Sequence, residues 1–411
     1  MTSDVRRRPL SHGALIALVA LVAALGLLAS NAGAASVKPP KPTKGPAGAK
    51  FYTPPKGYPG KHGSLIWQRK AGGITPIPGA KNKLVLYTTR TLGGGKSVSS
   101  GIVTTPKGKA PKGGWPVISY AHGTTGTADV CAPTRVPSGS PQEPYVTYIN
   151  PVVQDWLDAG YAVVRTDFAG LGTPGPHGYL VGIDEGHAVL DIVSAARALN
   201  PSISKKFLIA GHSQGGHAAL FAAAEAASYA KGLKLRGTVA YAPASHLAEQ
   251  EALLPALTFP SGLSALATLI VEGASTVDPQ GINVNNVLSD QALAFYPQVN
   301  QTCLPQLAAP DSLGGIAPSE LIREGAQLDS LRQVLRDNNP AIVSKAPILL
   351  AQGLADTTVF PQFTDMLNQE LVDKGNTVDY QTYPGVTHGE IPLVAEDAAM
   401  AFFQKQLPPK K

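Results

Sequence analysis

The sequence predicts an α/β fold: a mostly parallel central sheet with helices on both faces and a largely helical inserted cap. Three observations predict it. Short apolar runs alternate with amphipathic stretches over much of residues 83–406, the order that places crossover helices on both faces of a parallel sheet. One run ends in Gly211-His212-Ser213-Gln214-Gly215, a G-x-S-x-G turn leading from a strand into a helix. Residues 243–344, rich in Leu, Ala, Gly and Pro, then interrupt the alternation before it resumes.

The elements follow in chain order. Residues 83–88 and 98–104 alternate apolar and polar side chains, the pattern of half-buried antiparallel strands. Residues 115–121 are more continuously apolar and read as a central strand. Residues 152–159 read as a short helix and 161–166 as the next strand. In the helix expected at 185–199, Val189, Ile192, Val193 and Ala196 share one face. Residues 207–210 read as a buried strand, and 218–230, rich in Ala, Leu and Glu, as the helix after the turn. Residues 237–242 are the last strand before the interruption. Within it, Leu253, Leu254, Leu257, Leu263, Leu266, Leu269 and Ile270 recur at near-helical spacing. That spacing suits the cap's own core and an acyl-binding wall equally. Strands are expected again at 347–351 and 378–383, and a helix at 395–406.

The N-terminus carries Arg6-Arg7-Arg8, an apolar run over 14–29 and Ala32-Gly33-Ala34-Ala35. A basic start, an apolar middle and small residues at the end predict a secretory signal peptide over 1–35, cleaved near Ala34 or Ala35. An uncleaved anchor is the competing reading. Residues 36–50 read as a Pro/Lys-rich linker, extended and without a core. The net charge of +6 resides wholly in residues 1–50, with three Arg, four Lys and one Asp. Residues 51–411 balance 27 basic against 27 acidic side chains, so the charge is no nucleic-acid footprint. The expected domains are a core of 51–243 and 345–411 with a cap of 244–344. Cys131 and Cys303 are the two cysteines. An oxidising compartment predicts one disulfide between them; two separate buried thiols are the alternative.

The chemistry centres on Ser213. The strained turn lifts its hydroxyl above the sheet edge, and glycines on either side remove Cβ atoms that would collide. A serine hydroxyl is a poor nucleophile without a base. In this topology the acid and the histidine follow the serine along the chain. Asp356 stands after the 347–351 strand and His388 after the 378–383 strand, both on strand-end loops. The expected roles are Ser213 as nucleophile, His388 as base and Asp356 as the group that fixes the imidazole tautomer. The other histidines have plainer readings: His212 packs beneath the turn, His217 is structural, and His177 and His187 lack an acid in the expected place. Asp167 and Asp191 precede the serine and read as loop or helix-surface residues. The oxyanion needs two backbone N–H groups. Gln214, at a helix N-terminus, is one expected donor. Thr124, after His122-Gly123, is the other; Gly123 and Thr125 are alternatives in the same turn. No His, Cys, Asp or Glu cluster has metal-ligand spacing and no glycine loop has phosphate-binding form, so no cofactor is expected.

These residues resemble the secretory lipase family, the lipase A type of α/β-hydrolase. The resemblance rests on Phe51-Tyr52-Thr53-Pro54-Pro55, on Tyr120-Ala121-His122-Gly123-Thr124-Thr125-Gly126, and on Cys131-Ala132-Pro133. It extends through Asp167, Gly170-Leu171-Gly172-Thr173-Pro174-Gly175, Tyr179-Leu180, residues 211–216, and the Asp356 and His388 loops. It implies an α/β-hydrolase fold, a helical cap, and a metal-independent esterase or lipase acting on acylglycerols or other lipid esters. Some fungal relatives carry tyrosine where His212 stands, which leaves substrate range open. The expected localisation is secreted, with cell-wall association open, and the expected partners are an ester substrate and a lipid interface. The alternative functions are an acyltransferase of the same fold and a noncatalytic cell-wall or binding protein.

Overall fold

A computed structural model describes residues 43–409; the proposed signal peptide, His12 and residues 36–42 of the linker lie outside the described residues. Nine strands form one sheet: β1 (Leu65–Lys70), β2 (Lys81–Arg90), β3 (Lys96–Thr105), β4 (Trp115–Ala121), β5 (Ala162–Ala169), β6 (Ile203–His212), β7 (Lys234–Tyr241), β8 (Ile348–Gly353) and β9 (Val378–Tyr383). Their order is β1-β2-β3-β5-β4-β6-β7-β8-β9. The first three strands run antiparallel to their neighbours, and β4 to β9 are mutually parallel. The expected fold class is therefore the observed one.

Alternation within each strand sends neighbouring residues to opposite faces. Ile118, Val163 and Leu208 pack on one face with Trp156, Phe402 and Phe403. Val117, Val164 and Ile209 pack on the other with Ala188, Ile192, Ala218 and Ala222. The first face is covered by α1 (Asn150–Asp158) and a C-terminal helix, Glu396–Gln406; the second by α2 (Gly182–Leu199) and α3 (Gln214–Glu225). The helix after the serine starts four residues earlier than expected, because the turn at Ser213 passes directly into it. It ends at Glu225 although the alanine-rich run continues.

The linker reading needs correction in its second half. Gly45 N–H donates to the Gln68 carbonyl (3.0 Å), and Gln68 N–H donates to that of Thr43 (2.9 Å). Residues 43–45 thus extend the sheet edge beside β1. A Cβ on Gly45 would lie 2.8 Å from the Phe51 and Trp67 rings, so this segment is docked rather than solvated.

Between β7 and β8 the chain is helical, with α4 (Leu247–Glu251), α5 (Leu263–Val277), α6 (Asp329–Asp337) and several short turns. Leu269, Leu288, Leu307, Leu313 and Leu331 give this segment a core of its own. The cap leucines do not form one helix, because Pro255 and Pro260-Ser261-Gly262 interrupt the run. Cys131 and Cys303 are joined by a disulfide, with Cα atoms 5.5 Å apart. It ties the loop after β4 to the cap. Among the described residues no helix is long and apolar enough to cross a membrane. Two further helices, α7 (Pro361–Asp373) and α8 (Glu396–Gln406), stand before and after β9.

Candidate active site

Ser213 sits where β6 gives way to α3, with φ +58° and ψ −118°. A non-glycine residue rarely adopts that conformation, and holding it costs about 1–3 kcal/mol. The surroundings enforce it. Ser213 N–H donates to the Tyr241 carbonyl at 2.9 Å, and the Ser213 carbonyl accepts from His217 N–H at 3.0 Å. A Cβ on Gly211 would lie 1.9 Å from the Gly215 carbonyl oxygen, and one on Gly215 would lie 2.0 Å from that of Ala121. Both glycines are therefore fixed by backbone contact, as the sequence spacing requires.

Asp356 follows β8 and His388 follows β9, two neighbouring parallel strands, so both loops emerge at one edge of the sheet. His388 Nδ1–H donates to Asp356 Oδ2 at 2.6 Å. The buried carboxylate also accepts from Thr358 N–H (2.8 Å), Val359 N–H (2.9 Å) and the Gln352 amide (3.2 Å). Four donors fix its orientation, which leaves His388 Nε2 with a free lone pair. Ser213 and His388 line one cleft of about 680 Å³, together with Gly123, Thr124, Tyr148 and His212. The Ser213 hydroxyl makes no hydrogen bond to His388 in this structure, whose ring is held instead from the Asp356 side.

His212 has a larger part than packing beneath the turn. Its Nε2–H donates to the His388 carbonyl at 2.9 Å, so its Nδ1 accepts from the Tyr148 hydroxyl at 2.7 Å. Tyr148 in turn accepts from Tyr120 at 2.9 Å. Burial, with the nearby His388 adding to it, holds the His212 ring well below the ordinary histidine pKa, so the ring stays neutral and keeps Nδ1 as an acceptor. His122 is likewise buried and pushed down to about 4; its Nδ1 faces the Gly123 carbonyl at 2.7 Å.

Of the two expected oxyanion donors, Gln214 follows the serine directly and Thr124 lies on the loop after β4. The position of a Cβ on Gly123 would be 3.7 Å from Ser213 Cβ, which puts the loop after β4 against the turn. Among the described residues, the backbone N–H groups of Thr124 and Gln214 have no protein acceptor. The same holds for Gly123 and Thr125; of the four, Gly123 and Thr124 line the cleft at Ser213. The Thr124 side chain meets the Tyr179 hydroxyl at 2.7 Å. Thr125 offers its carbonyl to Leu304 N–H at 2.9 Å, next to the disulfide.

A narrow apolar cavity of about 110 Å³ also opens at Ser213 and Thr124. Leu253, Leu254, Leu257, Leu263, Leu266 and Ile270 line it, whereas Leu269 is buried in the cap core. Six of the seven thus line this cavity and the seventh lies in the core of the segment.

Sequence reasoning missed the acid behind the serine. Glu185, fully buried in the first turn of α2, lies between His177 and His217 at 4.0 and 3.5 Å. Its Oε1 accepts from the Gln214 amide at 2.7 Å. His177 therefore has a neighbouring acid, though not after the serine in the chain. A glutamate at a helix start has an ordinary reading through the helix dipole, so nothing in its spacing marked it. Asp191 is not a surface residue either: it is buried and accepts from His62 (2.7 Å) and Tyr229 (2.7 Å). Asp167 is a buried residue at the end of β5 that accepts from Ser100 and Thr134. No group of three or more metal-ligating side chains occurs among the described residues.

The sequence profile described as Secretory lipase matches residues 145–411. A Lipase A from Moesziomyces aphidis is 26% identical over 290 residues, which is 66% of this chain and 61% of that protein. The chain thus spans about three fifths of that relative's length. Candida antarctica lipase A in its closed state superposes with a TM-score of 0.72 at 22% identity, over 88% of this chain and 86% of the other. A mutant of the rice cell wall degrading esterase LipA from Xanthomonas oryzae superposes at 0.67 and 19% identity, over 84% and 98%. These likenesses show the α/β-hydrolase fold.

Proposed function

The chain belongs to the secretory lipase family, and on that premise we propose that it is a secreted serine ester hydrolase cleaving carboxylic esters of lipids. His388, bonded to the buried Asp356 and facing the same cleft as the strained Ser213, is the observation that carries this reading. In the proposed reaction Ser213 Oγ attacks the acyl carbon while His388 Nε2 takes its proton. The carbonyl oxygen gains charge and is met by the N–H groups of Gln214 and Thr124. Gln214 opens α3, so the helix dipole adds to the attraction. His388 then returns the proton to the leaving alcohol, and an acyl group remains on Ser213. Water, activated by the same histidine, releases the acid.

The two cavities suit the two halves of an ester. The leucine-lined cavity suits an acyl chain, each buried methylene contributing about 0.8 kcal/mol. The larger cleft holds the histidine that must protonate the leaving group, which suits the alcohol half. The basic, apolar and small-residue segments of residues 1–35 support export as a signal peptide. The proposal is tested by hydrolysis of nitrophenyl esters from acetate to palmitate. Activity that falls by several orders of magnitude in Ser213→Ala supports it. A folded protein with no ester hydrolysis, or with undiminished hydrolysis after Ser213→Ala, overturns it.

A further inference from the structure

We infer that Tyr179 and Glu185 form a clamp that positions both oxyanion donors, an inference that rests on the serine hydrolase reading above. The clamp is a connected chain of contacts. The Tyr179 hydroxyl holds the Thr124 side chain at 2.7 Å. The next residue, Leu180, donates its N–H to Glu185 Oε1 at 3.0 Å. The same oxygen accepts from the Gln214 side-chain amide at 2.7 Å. The loop before α2 and the first turn of α2 therefore grip the side chains of Thr124 and Gln214, the two proposed donors.

The two donors are restrained to different degrees. Thr124 lies outside any strand or helix, and its N–H makes no bond within the protein among the described residues. Its side chain is thus the point at which its direction is fixed. Gln214 N–H shares a peptide plane with the Ser213 carbonyl, which His217 N–H holds at 3.0 Å; the bond from its side chain to Glu185 adds a second restraint. Donors to a developing oxyanion act only if held within about 0.5 Å of the productive geometry. The clamp is itself restrained at a strained point: Leu180 has φ +56°, and its bond to Glu185 keeps it there.

A buried carboxylate is an expensive anchor unless its oxygens are satisfied. Glu185 Oε1 takes two donors, while Oε2 faces His217 Nδ1 at 3.5 Å, and neither of these last two atoms has another partner. His217 Nε2–H donates to the Asn338 carbonyl at 2.9 Å. A glutamine at 185 can reproduce this set, its oxygen accepting from Leu180 and Gln214 and its amide N–H facing His217 Nδ1. An alanine removes every contact. Neither Tyr179 nor Glu185 is expected to bond the reacting atoms, so both are positioning residues.

The test compares Tyr179→Phe, Glu185→Ala and Glu185→Gln with the unaltered protein. Four quantities are read: kcat and KM on nitrophenyl butyrate, the rate of Ser213 phosphorylation by diethyl nitrophenyl phosphate, and the melting temperature. Losing one oxyanion donor lowers kcat by about 10²–10³. The clamp predicts that Glu185→Ala lowers kcat and the phosphorylation rate about hundredfold and Tyr179→Phe about tenfold, with KM changed less than about threefold. Glu185→Gln restores most of what Glu185→Ala loses. A lower melting temperature with unchanged kcat and phosphorylation rate marks a structural role only and overturns the clamp. A rise in KM at constant kcat also overturns it, because that reports pocket lining. Should Glu185→Ala fail to fold, Tyr179→Phe with an unchanged phosphorylation rate overturns it alone. Failure of the unaltered protein to be phosphorylated at all overturns the serine reading itself, and the clamp with it.

Discussion

Replacing both half-cystines, Cys131→Ala with Cys303→Ala, tests how the cap is tied to the sheet. The bond joins residues 172 apart in sequence. Loop-closure entropy for that span gives an upper value of about 5 kcal/mol at 25 °C. A chain of 411 residues, at about 2.1 cal/mol/K of unfolding entropy per residue, shifts its melting temperature by about 1.2 °C per kcal/mol. The double variant is therefore expected to melt about 6 °C lower. Both sulfurs are buried, so the variant is a cleaner perturbation than a reductant added to the folded protein. Differential scanning calorimetry reads the shift, and thiol titration in denaturant checks the starting state. Two titratable thiols in the unaltered protein, or an unchanged melting temperature in the variant, refutes the reasoning.

Other substitutions probe the site directly. His388→Ala is expected to lower kcat by roughly 10⁴–10⁶ and Asp356→Asn by about 10⁴, with folding retained by circular dichroism; near-normal ester turnover in either removes that residue from the mechanism. Leu266→Trp narrows a wall shared by both cavities and should cut palmitate ester turnover at least about tenfold while butyrate turnover stays within about threefold. Equal losses on both esters would contradict the acyl-cavity assignment. Burial pushes Asp167 up to about 6 and Glu396 up to about 8. Both folded-state values exceed the unfolded ones, so the folded protein holds the extra protons and is favoured at acid pH. That contribution is lost as pH rises from about 4 through about 8. Glu396→Gln should flatten the melting temperature against pH across this window; an unchanged slope counts against it.

Much of the fold was legible because burial leaves a pattern. The strands at Trp115–Ala121 and Val378–Tyr383 have the bounds their sequence suggested. Edge strand β1 was not legible: Gln68, Arg69 and Lys70 face partly outward and give no alternation. The docking of residues 43–45 escaped for a related reason, since Pro, Lys and Gly reveal no apolar face and only pairing with Gln68 orders them. At the site, chain order sufficed to nominate Asp356 and His388, because parallel strands bring their C-terminal loops to one edge. The structure joins them in a hydrogen bond. Glu185 and the Tyr148–His212–His388 chain were invisible, since each depends on tertiary contacts between residues that look ordinary in isolation.

The most direct test of the central proposal is to treat the protein with a fluorophosphonate and map the adduct by peptide mass spectrometry. The account predicts a single adduct per chain, on the Ser213 peptide, with ester hydrolysis lost in proportion and no adduct in Ser213→Ala. Labelling at another residue, or full hydrolytic activity after complete labelling of Ser213, would contradict it.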